Sequence, residues 1–366
     1  MERSPESAVL LATGVDDLGP FDVPAGVELL KLPGLQKVAN DRYVSRRLAL
    51  QPDATTRLRA GLLEAVVCHF RPDVLLVDKH PLGPGAELVG ALGRQRAQGG
   101  RVVLGVRDVL DDPAAVTAEW AASGLADAVE HYYDCALLYG TPGLLDSATE
   151  AGIPPAVLSR ARWCGHVVAT GPGDQHAVDL PAGSRPLVVG CAGGGEDGAR
   201  LLLELIAASH DAPWRAVVVT GPLASPADRH AVEAAAVAAG VEVRAQVRDL
   251  RRWFSSVDAL VCMGGYNTLV EAAAAACPVV CVPRFHPRQE QLIRARAFAR
   301  QGILELVEPA RLSAGALDRA IHVALSQSRE GLAATVARCL DLDGAARAAA
   351  HLGSLCPARA AAVVPA

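Results

Sequence analysis

Short apolar runs alternate with stretches whose apolar positions recur every three to four residues, and this alternation occurs twice along the chain. In the first half, residues 9–12, 27–32, 74–77, 102–106 and 136–138 are short, largely apolar runs of strand length, read as buried parallel strands. Residues 56–70, 85–98 and 113–130 carry helical spacing, with Pro113 where a first-turn proline is tolerated. Residues 169–185, rich in Pro and Gly, break the rhythm. Strand-like runs then resume at 187–191, 216–220, 241–245, 259–263, 279–282 and 304–307, and from Arg311 the pattern is helical to about Leu355. The reading is an α/β chain of two doubly wound domains, residues 1–168 and 186–366, joined by a linker at 169–185. Ligands are expected at the carboxyl ends of strands and in the cleft between the domains.

A length of 366 residues suits two domains, and 51% hydrophobic with 20% charged residues excludes a disordered or low-complexity chain. The net charge is −5 and Lys and Arg form no run, so no nucleic-acid partner is expected. The longest apolar runs, such as residues 272–283, are too short to span a membrane. The opening apolar piece, residues 8–12, follows Glu2 and Glu6 rather than a basic cluster, so it does not read as a signal peptide, and a cytoplasmic location is expected. Nine cysteines, an odd number scattered through apolar stretches, suit reduced thiols. Cys277 and Cys281, with His286 nearby, read as strand residues rather than metal ligands.

Three strand-to-helix turns carry chemistry. After the run at 187–191 come Gly193, Gly194 and Gly195, and then a helix starting near Asp197; glycines admit close approach of an anion, and a helix N-terminus offers free amides, so a diphosphate is the natural ligand. A tight structural connection is the alternative. The second turn is Met263-Gly-Gly-Tyr-Asn-Thr-Leu-Val-Glu271, in which Gly264 and Gly265 end a strand and Asn267 or Thr268 is expected to cap the helix. Glu271 either closes a capping box or reaches a diol such as a ribose. The third, residues 283–292, opens a helix with Glu290 and Gln291 in its first turn, where helix capping is the competing explanation.

Taken in order, these turns resemble the nucleotide-sugar signature of GT-B glycosyltransferases, and residues 186–307 resemble the C-terminal domain of the MurG-like lipid II GlcNAc-transferases. Asp73-Val-Leu-Leu-Val-Asp-Lys-His-Pro and Val106-Arg-Asp-Val-Leu-Asp-Asp-Pro extend the likeness into the first half. The resemblance implies two Rossmann-like domains facing a cleft and a hexosyltransferase that takes its sugar from a nucleoside diphosphate, UDP being the expected nucleotide, and passes it to an unidentified hydroxyl acceptor. Gly193, Gly194, Gly195, Gly264, Gly265, Asn267 and Thr268 would hold the diphosphate, Glu271 the ribose, and Glu290 and Gln291 the sugar, while residues 246–250 would border the base. The chain departs from the family at Met263, where many relatives have histidine. It also shows no opening strand and Gly-His loop, and so reads as starting at the second strand. A nucleotide-sugar binding protein without turnover, and a UDP-sugar epimerase on the same scaffold, are the alternatives.

Inverting transfer needs a proton acceptor near the acceptor hydroxyl. Asp108, at a strand end facing the donor half, is the first candidate, and Asp78 and His80 are the second. Arg107 and Lys79 are expected to bind an anionic acceptor or to pair with these carboxylates. No metal or cofactor is expected, since amides and helix dipoles can stabilise a leaving diphosphate. Asp16-Asp17 and Asp111-Asp112 read as turn residues. The stretch with Arg42, Arg46, Arg47, Leu48 and Leu50 reads as a solvated loop, with peripheral membrane contact as its alternative.

Overall fold

A computed structural model describes residues 7–15, 23–39, 42–145, 150–169 and 179–356. Glu2, Glu6, Asp16, Asp17 and most of the expected linker, residues 170–178, lie outside the described residues.

The chain opens with β1 (Val9–Thr13) and β2 (Val27–Lys31), paired in parallel, and a hairpin of β3 (Leu35–Ala39) and β4 (Arg42–Ser45). Helix α1 (Pro52–Phe70) leads to β5 (Val74–Asp78), α2 (Val89–Ala97), β6 (Arg101–Arg107), α3 (Pro113–Ser123), α4 (Leu125–Tyr132), β7 (Cys135–Tyr139), α5 (Pro155–Leu158) and β8 (Ala161–Trp163). Strands β5, β6, β7 and β8 form a parallel sheet in that order.

Three expectations are corrected here. Residues 9–12 and 27–32 are strands but not buried members of the main sheet: they form a separate ribbon with Val9, Leu11 and Leu29 exposed. An apolar run announces a strand without saying what will cover it. Residues 113–130 are two helices, because Gly124 takes a left-handed conformation (φ 61°) that ends α3 after Ser123. Residues 85–98 begin as a short 3-10 turn around Gly85 (φ 63°), and the α-helix starts only at Val89.

The second half runs β9 (Leu187–Cys191), α6 (Ala199–Ala208), β10 (Arg215–Val219), α7 (Pro226–Ala239), β11 (Glu242–Arg244), β12 (Ala259–Cys262), α8 (Tyr266–Ala274), β13 (Val279–Cys281), α9 (Glu290–Arg300) and β14 (Glu305–Leu306), followed by α10 (Ala314–Ser326), α11 (Arg329–Cys339) and α12 (Gly344–Leu355). The six strands pair in parallel in the order β11-β10-β9-β12-β13-β14. Apolar side chains cover both faces: Trp253, Phe254, Leu260 and Phe298 belong to one cluster, and Leu202, Leu205, Trp214 and Ile321 to the other. Gly190, within β9, is glycine because a Cβ there would stand 2.3 Å from the Leu205 side chain. Strand order reverses between β9 and β12, so the connections after these two parallel strands run to opposite sides and leave a crevice. Helix α12, in the segment expected to complete the second domain, returns to the first: Ala348 packs with Val103, Cys135 and Leu137.

Candidate functional site

The crevice between β9 and β12 is lined by the two glycine loops. Gly193 and Gly195 hold positive φ values of 60° and 95°, and a Cβ on Gly195 would lie 2.3 Å from the Thr220 carbonyl oxygen, so this turn admits glycine alone. Its Cα-only surface leads into α6, whose N-cap, Gly198, offers no side chain to the first-turn amides. Gly264 (φ 83°) turns the second loop, and Gly265 is the N-cap of α8, again with no side-chain cap. The expected cap at Asn267 or Thr268 is thus corrected. Both residues fall inside the first turn of α8; Asn267 is exposed, and Thr268 faces the crevice. Two uncapped helix starts leave amides and dipole ends directed at a cavity of about 230 Å³, lined by Gly193, Gly194, Gly195, Met263, Thr268 and Arg284 among others.

Moving the cap to Gly265 also places Glu271 well beyond the position at which it can close a capping box. Glu271 lies half-buried on α8, close enough to the Asp249–Arg251 ion pair to feel both charges. Burial pushes its carboxyl above the usual range, Arg251 pulling against and Asp249 adding to the shift. The segment expected to border a base and the residue expected to bind a ribose are therefore neighbours.

A second cavity, about 240 Å³, opens between the domains and is lined by Lys79, Arg107, Val109, Leu110, Gly265, Tyr266, Arg284, Glu290, Gln291 and Arg294. Glu290 and Gln291 are the first residues of α9. Arg284 Nη2 donates to Glu290 Oε1 (3.3 Å) and Nη1 to Asp197 Oδ2 (3.4 Å), so one guanidinium stands between the two cavities. Glu290 Oε2 is buried with no partner. The Gln291 amide is best satisfied when its nitrogen donates to the Met263 carbonyl and its oxygen accepts from Arg284.

The first-domain wall corrects the leading proton-acceptor candidate. Asp108 is only 3% exposed and faces Arg294, 1% exposed, on α9. Arg294 Nε donates to Asp108 Oδ2 (2.8 Å), Nη2 to Oδ1 (2.8 Å) and Nη1 to the Gly264 carbonyl oxygen (3.2 Å). Burial alone would raise the Asp108 pKa, but the Arg294 charge and the facing His166 imidazole, 3.7 Å away, outweigh it and hold the carboxyl far below the usual carboxylate range. A group that is closed to solvent, ion-paired and so weakly basic is the opposite of what proton acceptance requires. Asp108 instead anchors the second domain's Gly264 loop to the first domain through Arg294. Asp78 is exposed and His80 half-buried, on either side of Lys79 at the end of β5; Lys79, rather than either of them, lines the cavity.

Further contacts fix the two domains together. Tyr266 OH donates to the Tyr139 carbonyl oxygen (3.0 Å) and accepts from Val167 N (2.9 Å). Asp111, read as a turn residue, accepts from Gln289 N (2.6 Å), and Arg288 pairs with Glu119 (3.1 Å). Sequence reasoning assigned no role to Tyr266, Arg284 or Arg294. The available signal was position alone, since Arg284 follows a strand and Tyr266 opens a helix.

No protein-family model matches the chain. It is 33% identical over 195 residues to the UDP-N-acetylglucosamine--N-acetylmuramyl-(pentapeptide) pyrophosphoryl-undecaprenol N-acetylglucosamine transferase of Nitratidesulfovibrio vulgaris, a match covering 52% of this chain and 49% of that one. The chain thus spans about half the length of that relative. Among solved structures, the calicheamicin glycosyltransferase aligns over 93% of this chain and 88% of its own at 19% identity and a TM-score of 0.56. Acinetobacter baumannii MurG aligns over 89% and 84% at 14% identity and a TM-score of 0.53. A Listeria monocytogenes protein assigned as a UDP-N-acetylglucosamine 2-epimerase aligns over 96% and 90% at 15% identity and a TM-score of 0.62. The fold is thus the GT-B arrangement of two Rossmann-like α/β domains, and over about half its length the chain is similar in sequence to a MurG-type transferase.

Proposed function

We propose that the protein transfers a hexose-type sugar from a nucleoside diphosphate, with UDP as the nucleotide, to a hydroxyl acceptor. The observation that carries this reading is the convergence of two uncapped helix N-termini, Thr268 and Arg284 on one cavity at the strand-order reversal, with a half-buried carboxylate, Glu271, on one of those helices. The α6 and α8 amides and Arg284 would hold the diphosphate. As the anomeric bond breaks, the charge gathering on the leaving phosphate would meet donors already in place. Glu271 would accept hydrogen bonds from the ribose hydroxyls, and Glu290 and Gln291 would orient the sugar. With Asp108 committed to Arg294, proton acceptance falls to Asp78 or His80 at the end of β5. The donor set needs no metal ion or cofactor for these steps.

Calorimetric titration tests the donor half. UDP should bind, and Glu271→Ala should weaken binding by about 1–3 kcal/mol, the effect of removing a charged hydrogen-bond partner, with cooperative melting retained. Undiminished UDP affinity in Glu271→Ala refutes the ribose assignment. The epimerase fold neighbour sets a second arm: an epimerase would convert or release a UDP-sugar with no acceptor present, whereas a transferase would turn over only when an acceptor is supplied.

A further inference from the structure

The cavity between the domains carries more positive charge than its own side chains neutralise. Four cations line it, Lys79, Arg107, Arg284 and Arg294, with a single lining carboxylate, Glu290. Arg294 is matched by Asp108, and Arg284 is shared between Glu290 and Asp197. Lys79 and Arg107 remain, and neither makes a salt bridge to a described residue; the Arg107 guanidinium instead rests over the Tyr266 ring, 5.6 Å from its centroid. Around Lys79 stand Arg288 and Arg107, which oppose its charge, and Glu290 and Asp78, which favour it. Arg288 is itself engaged by Asp111 and Glu119, and Asp78 is exposed. Burial lowers the Lys79 pKa, the mark of a cation removed from water without full compensation.

The two unmatched cations belong to the first domain, at the ends of β5 and β6, and face Glu290 and Gln291 across the cavity. They do not line the neighbouring glycine-loop cavity, which has its own amides and Arg284 for a diphosphate. A cavity of about 240 Å³ has room for one hexose, and a neutral hexose would leave both charges unanswered. We propose that the sugar held in this cavity carries a carboxylate, so that the donor is a nucleoside diphosphate hexuronic acid whose carboxylate lies between Lys79 and Arg107. This inference rests on the donor-site reading above and specifies the class of sugar.

The test is a set of calorimetric titrations at low salt with UDP, dTDP, UDP-glucose and UDP-glucuronate. UDP-glucuronate should bind about ten-fold more tightly than UDP-glucose, the two differing only at the sugar's C6. The preference should shrink with added salt, and should fall to near parity in Lys79→Gln and in Arg107→Gln while UDP affinity stays at the wild-type value. Retained UDP affinity also shows that each variant is folded. Two results overturn the inference while leaving the donor site standing: equal binding of the two UDP-sugars by the wild type, which would assign the cations to an anion on the acceptor, or a parallel loss of UDP affinity in both variants, which would place them on the diphosphate. Failure of both UDP and dTDP to bind would overturn the donor-site reading itself, and this inference with it.

Discussion

Asp108→Asn separates the role that the structure gives this residue from the role its strand-end position suggests. The substitution keeps the side chain's shape but replaces a carboxylate that accepts two charged bonds of 2.8 Å from a guanidinium 1% exposed. Asparagine can accept one of them; its amide group would then face the other Arg294 nitrogen, donor to donor, in a site closed to solvent. Leaving a buried charge uncompensated costs about 3–5 kcal/mol. For a chain of 366 residues that corresponds to a fall in Tm of roughly 5 °C. The same change at Asp78, exposed and with no ion pair among the described residues, should stay within about 0.5 kcal/mol of wild type. Calorimetric melting of the two variants beside wild type gives the comparison. Because Arg294 also donates to the Gly264 carbonyl, Asp108→Asn should weaken UDP binding as well, although Asp108 lines neither cavity. A variant that melts at the wild-type temperature and binds UDP normally, yet has lost turnover, would refute this reasoning and restore Asp108 as the proton acceptor.

Two predictions follow from acid titration. The folded-state pKa of Asp108 lies below its unfolded value, so its stabilisation is complete above the ordinary carboxylate range, begins to fall below about 4 and is lost only as pH drops through the much lower folded-state value. The Tm gap between wild type and Asp108→Asn should therefore be full at pH 6 and narrow toward pH 3; a gap independent of pH would show that the carboxylate charge is not what stabilises. Glu271 is shifted the other way, burial raising it above 4.5, and a ribose diol needs its ionised form. UDP affinity should begin to fall at a pH above the ordinary glutamate range on acidification, whereas Glu271→Gln should bind weakly and with little pH dependence; parallel profiles for the two would exclude Glu271 from the site.

The two glycine loops are legible in sequence because everything that specifies their conformation is local. A buried strand, two or three glycines and a helix occupy about a dozen consecutive residues, and the positive φ of Gly195 and Gly264 is a demand of that turn alone. Helix position linked Thr268 and Glu271, although the cap lay at Gly265, where backbone conformation decides and side-chain type gives no warning. Gly124 was overlooked as a helix stop because the apolar spacing continues through it. The ribbon of β1 and β2 was recognised as strand, but its exposure depends on neighbours that the run itself does not encode.

Strand-end charges show where local reading stops. Lys79, Arg107, Asp108 and Arg284 all lie at or just beyond the carboxyl ends of parallel strands, and the sequence presents them as equivalent. Their chemistry is set by partners far along the chain: Asp108 meets Arg294, 186 positions away, while Arg107 next to it, making no salt bridge among the described residues, rests over the face of Tyr266. The pairing makes one of two adjacent ions a structural anchor and leaves the other available to a ligand. Arg294 is the link between these outcomes, because by neutralising Asp108 and holding the Gly264 carbonyl it fixes the Gly264 loop to the wall that carries Lys79 and Arg107. The spacing between a donor's diphosphate and its sugar would thus be set by an ion pair that touches neither cavity's contents through Asp108. A carboxylate with no place in the chemistry can then govern both stability and donor affinity, a combination expected of an anchor and not of a base.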